Sequence, residues 1–336
     1  MTKIIHKLIS HTLFFLLVAG ANASYGNPTP SMKQLEGRPS NIPEDYVATP
    51  GGYLHPKCIV TVGSGETVKS NGKITNADES ERSIPACDHV KYTKFGQEIR
   101  PSDPETDFNN RPIRGWEASI SHSLERDNGI QKIVGEWVVP LNPWDYKGQT
   151  LFLFNSIRTT DGIIIQPVLG FNQSGAIGPQ WSIASWAVGG GLCGQGSCKS
   201  ANTLVQPGDV IRGTLTRNIP NGTDPQTVKK WRITISVLRN GVETGSQNLD
   251  VELPTSNCFY FDEAVYETYG AKLCGQIDTL SDYSGLNAKF TTRSIKWRNG
   301  YSGVGEAETF IYDGECDVKT NIERSWVSEI YYGTLH

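Results

Sequence analysis

The sequence reads as all-β: an antiparallel sandwich or barrel, preceded by a smaller β-rich segment. Three observations lead there. From about residue 115 onward, strand-length apolar runs follow one another at short intervals, with turn residues between them. Helical periodicity is nearly absent over the same region, so no crossover helices are available to build a parallel sheet. Thirty-five glycines and two methionines, beside eight tryptophans and thirteen tyrosines, are the composition of a turn-rich aromatic β-protein.

Residues 1–23 have the form of an export signal: Lys3 and Lys7, an apolar run from Leu8 to Gly20, then the small-x-small site Ala21-Asn22-Ala23. The apolar run is too short for a comfortable membrane span, so a secreted protein, periplasmic or extracellular, starting near Ser24 is expected. Residues 24–110 form an N-terminal Pro/Gly-rich region, a possible propeptide or cap. Its first part, 24 to 50, has too little apolar content to pack and reads as a mobile arm. Cys58-Ile59-Val60-Thr61-Val62 and Glu66-Thr67-Val68 read as a strand pair, and Asn71-Gly72 as a turn. Pro101 to Arg114 reads as a linker, which makes 111–336 the main β domain. Within it, strands are predicted at Gly115 to Ser123, Lys132 to Val139, Thr150 to Phe154, Ile163 to Phe171, Trp181 to Val188, Val210 to Arg217, Lys230 to Leu238 and Gln247 to Leu253. Pro207-Gly208-Asp209 opens one strand, and Asn240-Gly241 predicts a type I′ hairpin.

A net charge of −4, with 20% charged residues, argues against nucleic acid or an anionic membrane surface as the main partner. A monomer is expected. Seven cysteines in an exported chain suggest disulfides with one thiol left over. The preferred pairs are Cys193 with Cys198, Cys58 with Cys87, and Cys258 with Cys274, which leaves Cys316. His55, His89 and His122 lack metal-ligand spacing, and no phosphate loop, Gly-x-Ser-x-Gly elbow or His-Glu-x-x-His is present. Neither a metal nor a cofactor is expected.

Two apolar segments each hold one polar side chain that asks for a reason: Gln166 in Ile163 to Phe171, and Glu267 in Glu263 to Gly270. Gln166 shares a strand face with Ile164 and Val168, and Pro167 removes one ladder donor, as at a bulge or an edge. Glu267 alternates with Val265 and Tyr269, and Glu263 competes with it on the same face. A carboxylate desolvated among aromatics is suited to general acid/base work in mild acid. Taken singly, each residue also fits a satisfied structural role.

Trp137-Val138-Val139-Pro140, Ile165-Gln166, Trp181 to Trp186, Pro207-Gly208-Asp209-Val210-Ile211 and Val265-Tyr266-Glu267 stand in the order of comparable elements in the eqolisin glutamic peptidases. The chain resembles that family over roughly residues 115 to 295. The resemblance implies a two-sheet, concanavalin-like sandwich of jelly-roll type. It also implies a catalytic pair on adjacent strands, with Gln166 supporting the oxyanion and Glu267 activating water. Trp181 and Trp186 would then line a cleft that binds extended polypeptide. The chain departs from the family pattern at Pro167, at Ser185 and in the absence of a basic propeptide. Three functions follow as expectations: an acid endopeptidase, a carbohydrate-binding or adhesive sandwich, and an inactive peptidase homologue. The first needs Gln166 and Glu267 within one water of each other, and the second needs aromatics on an exposed rim.

Overall fold

The computed structural model describes residues 37–100, 115–123, 130–143, 145–176, 178–224, 227–256, 258–277, 288–297, 307–312, 316–324 and 327–332. The predicted export signal and the Pro101 to Arg114 linker lie outside them. In chain order the strands are β1 (Val47–Thr49), β2 (Gly52–Leu54), β3 (Ile59–Thr61), β4 (Thr67–Val68), β5 (Lys73–Thr75), β6 (Glu81–Ser83), β7 (Lys91–Tyr92) and β8 (Glu98–Ile99). They continue as β9 (Trp116–Ser123), β10 (Ile130–Val138), β11 (Thr150–Thr159), β12 (Ile164–Phe171), β13 (Trp181–Val188), β14 (Ser197–Lys199), β15 (Thr203–Leu204) and β16 (Val210–Arg217). The last are β17 (Lys230–Arg239), β18 (Val242–Glu252), β19 (Cys258–Tyr269), β20 (Ala288–Trp297), β21 (Ala307–Ile311), β22 (Val318–Arg324) and β23 (Val327–Tyr332).

Two large sheets pack face to face, as an all-β sandwich. One has nine strands along the path β21-β9-β19-β11-β12-β13-β14-β3, with β15 also on β13, and the other has ten in the order β22-β23-β20-β10-β16-β17-β18-β4-β5-β6. β12 and β13 lie over β16, β17 and β18. The period-2 alternation of each strand decides which residues meet there. Leu151, Leu153, Leu169, Trp181, Ile183, Ala264 and Tyr266 turn inward with Trp137, Ile211, Ile235 and Val237 of the facing sheet. Ile157, Ile163 and Ile165 join Ile133, Leu215, Trp231 and Ile233. The predicted hairpin forms at Asn240-Gly241, where both residues have positive φ, 52° and 77°, and Arg239 pairs with Val242.

The other, outer face of the nine-stranded sheet is just as apolar. Phe152, Phe154, Ile164, Val168, Ala184, Trp186, Val188, Val265 and Tyr269 form one buried cluster with Ile42, Tyr46, Ala48, Tyr53 and Tyr92. The N-terminal region therefore lies on this face. Residues 39–50, expected to be a mobile arm, are held there by Ile42, Tyr46 and Ala48, three well-spaced apolar side chains that suffice because their partner surface is already made. The predicted pairing of 58–62 with 66–68 does not occur. Gly65, at φ 84°, turns the chain from one sheet edge to the other, so β3 adds in parallel to β14 while β4 adds in parallel to β18.

Cys58–Cys87 and Cys193–Cys198 form as expected, with Cα separations of 5.0 and 5.7 Å. The third bridge is Cys274–Cys316, not Cys258–Cys274. Cys258 opens β19 and stays a buried thiol beside the Arg217 guanidinium, 3.5 Å from Nη2, whereas Cys274 lies beyond the far end of the same strand. A strand of twelve residues holds its two ends about 40 Å apart, which forbids that bridge. Among the described residues, no helix is long and apolar enough to cross a membrane.

Candidate functional site

Glu267 lies on the outer face and is completely buried. Its Oε1 accepts the main-chain N–H of Gly51 at 3.0 Å, the N–H of Gly115 at 3.2 Å and the Tyr269 hydroxyl at 2.5 Å. Gly115 can come this close because an added Cβ would run into the Thr268 carbonyl. Burial first, and then the neighbouring Glu267, push the Tyr269 hydroxyl well above the usual tyrosine range, which keeps it a neutral donor to the carboxylate.

Gly51 belongs to the tip of the β1–β2 hairpin, Thr49-Pro50-Gly51-Gly52. Proline presets its own φ, and Gly51 and Gly52 take φ of 101° and 138° without a Cβ to object. The Thr49 hydroxyl closes the tip on the Gly52 carbonyl at 2.8 Å. Two residues on, Tyr53 packs edge-on against Tyr269, with ring centroids 5.2 Å apart, and burial pushes its hydroxyl up to about 12.

Gln166 also faces outward and is 1% exposed. It and Glu267 are not on adjacent strands, because β11 separates β12 from β19. The register Phe154↔Val168 and Ile157↔Ile165 sets Ser156 opposite Gln166, and Ser156 in turn pairs with Asp262. Glu267 pairs with Phe152, four residues along β11 from Ser156. The offset is about 13 Å along the strands and about 10 Å across them, or about 16 Å between the two backbones. The expected Gln166/Glu267 pair sharing one water is therefore not assembled in this structure.

The residues level with Gln166 form a polar row. Asp262 accepts the hydroxyls of Ser121, at 2.7 Å, and Ser156, and a two-pronged grip from Arg158 at 2.8 and 3.1 Å. Arg158 also lies over the Tyr260 and Trp116 rings, 4.1 and 5.3 Å from their centroids. On the other side of Gln166, Trp186 gives its indole N–H to Gln173 at 3.3 Å, and the Lys199 ammonium sits 5.0 Å above its ring. Desolvation lowers the Lys199 amine to about 8.

The other expected residues divide by face. Trp186 lies on the outer face, but Trp181, five residues away and so of opposite parity, is in the core between the sheets against Phe171. Glu263 does not share the face of Glu267: the bulge between Asp262 and Ala264 turns it toward His122 Nε2, at 2.9 Å, and Ser328 of the other sheet. Sequence reading missed Tyr269, Gly51, Asp262 and Arg158. Asp262 had a signal of its own, an acidic residue inside an apolar strand. Gly51 had only the Pro-Gly-Gly turn.

No family model matches the chain, and no curated protein matches it. A solved structure of SCP-B, a member of the eqolisin family of peptidases, in complex with the tripeptide Ala-Ile-His, is similar at 11% identity and a TM-score of 0.39. The match covers 66% of this chain and 98% of that one. No residue role is carried over from a likeness of that size.

Proposed function

We propose that this chain is an exported polypeptide-binding β-sandwich whose binding surface, the outer face of the nine-stranded sheet, is closed by residues 37–100 acting as a cap. The observation that carries the reading is the Gly51 N–H held by Glu267 Oε1. A buried carboxylate that captures a main-chain amide above a floor of Phe152, Phe154, Val168 and Val265 is a surface for polypeptide. Export is supported by the leader-like start and by three disulfides. Carbohydrate stacking finds less support, because Trp137, Trp181 and Trp231 lie in the core between the sheets, away from the outer face.

Hydrolysis is the competing reading, with Glu267 activating water and Gln166 supporting the oxyanion. One observation favours it: the buried Gln166 Nε2 has no hydrogen-bond partner among the described residues, as an oxyanion donor awaiting substrate would. The separation of about 16 Å opposes it. Labelled extended octapeptides, mixed with full-length wild type and with Gly51→Ala between about pH 2 and 6, decide between the two. Gly51→Ala weakens the hairpin tip and is expected to bind the peptides about tenfold more tightly than wild type without cutting them. Cleavage that disappears in both Glu267→Gln and Gln166→Ala would overturn the binding reading in favour of the dyad.

A further inference from the structure

We propose that Gln166 is a second anchor on the same face, taking a main-chain carbonyl oxygen of the bound polypeptide about five residues from the amide that Glu267 takes. The inference rests on the polypeptide-binding reading and adds to it the length and polarity of the segment that binds. The Gln166 side chain is 1% exposed, and its Nε2 meets no acceptor among the described residues. A buried amide left unmatched costs at least what an ordinary hydrogen bond contributes, so an acceptor from outside the chain would be gained at full value.

The neighbours of Gln166 explain why the described residues supply it no acceptor. Trp186, opposite on β13, has only a donor, already given to Gln173. Asp262, one strand beyond Ser156, is engaged by Ser121, Ser156 and both prongs of Arg158. The Lys199 ammonium, beyond Trp186, is a further donor. A row so rich in N–H and O–H groups selects an oxygen, and a neutral carbonyl is the oxygen that every peptide unit carries.

Between the anchors the floor is apolar. Val168, Phe154, Phe152 and Val265 lie on the diagonal from Gln166 to Glu267 and belong to one buried cluster. They offer packing and no hydrogen bonds, so the polar grip falls at the two ends. An extended chain advances about 3.3 Å per residue, and about 16 Å therefore corresponds to about five residues. In the structure the hairpin tip uses the Glu267 anchor through Gly51, while the Gln166 Nε2 meets no acceptor from the described part of the cap, residues 37–100.

The test uses the full chain carrying Gly51→Ala, with and without Gln166→Met, and uncharged peptides of three to eight residues followed by fluorescence anisotropy. Methionine keeps the length and volume of the side chain and removes the unmatched amide. Gln166→Met is expected to weaken octapeptide binding by about five- to tenfold, to leave tripeptide binding unchanged, and to raise the thermal unfolding midpoint. A residue serving only the fold would lower that midpoint and leave octapeptide affinity alone. Undiminished octapeptide binding by Gln166→Met, with loss in Glu267→Gln, would overturn the second anchor while sparing the polypeptide reading. Absence of octapeptide binding in the parent would overturn both.

Discussion

Lys199 is buried on the outer face, and no carboxylate among the described residues pairs with it. Its Nζ donates to the Ser174 carbonyl and the Asn202 side-chain oxygen, both at 2.6 Å, and rests over the Trp186 ring. Desolvation lowers its pKa to about 8, while an unfolded chain keeps the proton to about 10.4. Between those values the unfolded state binds more proton than the folded one, so stability rises with pH across the window and falls as pH drops through about 8. The full rise is up to ~3 kcal/mol. Urea midpoints compared at about pH 7.5 and 9.5 are expected to climb in wild type relative to Lys199→Met, which lacks the titration. Equal pH dependence in the two proteins would contradict the buried charge. At this scale much was legible in sequence: Gln166 and Glu267 stand out as polar residues in apolar strands. Trp181 could have been separated from Trp186 by parity alone. Glu263 could not have been separated from Glu267, because a bulge is set by the partner strand.

The elements show where local chemistry suffices. Asn240-Gly241 made a type I′ hairpin because both positions tolerate positive φ, and Pro207-Gly208-Asp209 opened β16 with Gly208 at φ 90°. The β1–β2 hairpin turns differently, on Pro50-Gly51 with positive φ at Gly51 alone of the two, and its role comes from where it docks. Disulfides show the limit: the short Cys193–Cys198 loop was readable from two glycines, whereas Cys274–Cys316 depends on a separation of 42 residues that only the fold closes. Closing a loop of that length stabilises the folded state by about 4 kcal/mol on the chain-entropy account. Cys316→Ser is expected to lose about that much in urea unfolding. Cys258→Ala should keep three bridges by non-reducing peptide mapping, and loss of one would restore the Cys258–Cys274 pairing.

Across the whole molecule, residues 37–100 cover the outer face and are also part of the frame. β3 is an edge strand of one sheet, β4 to β6 finish the other, and the cluster of Tyr46, Ala48, Tyr53 and Tyr92 covers the aromatic outer face. A chain begun at Gly115 would expose Trp116, Phe152, Phe154 and Trp186 together and lose strands from both sheets. Such a truncation is expected to bind a hydrophobic dye strongly and to associate, seen as high-mass species in size-exclusion chromatography. The full chain should unfold with coincident tryptophan-fluorescence and circular-dichroism transitions. A monomeric, dye-silent truncation would show instead that the cap is a separable domain.

The sequence by itself determined the all-β class, most strand positions, two of the three disulfides and the two buried polar residues on which the functional reading turns. Those depend on period-2 patterning, turn residues and short-range geometry, all carried by neighbours in the chain. Only the tertiary structure decided that β11 lies between β12 and β19, which sets Gln166 level with Asp262 rather than Glu267. Strand order and register are properties of which strands meet, and identical alternating segments fit several orders equally well. For the same reason the structure alone showed residues 39–50 packed on the outer face and Gly51 bonded to Glu267: a segment poor in apolar residues packs when a finished aromatic surface supplies the other half of the contact.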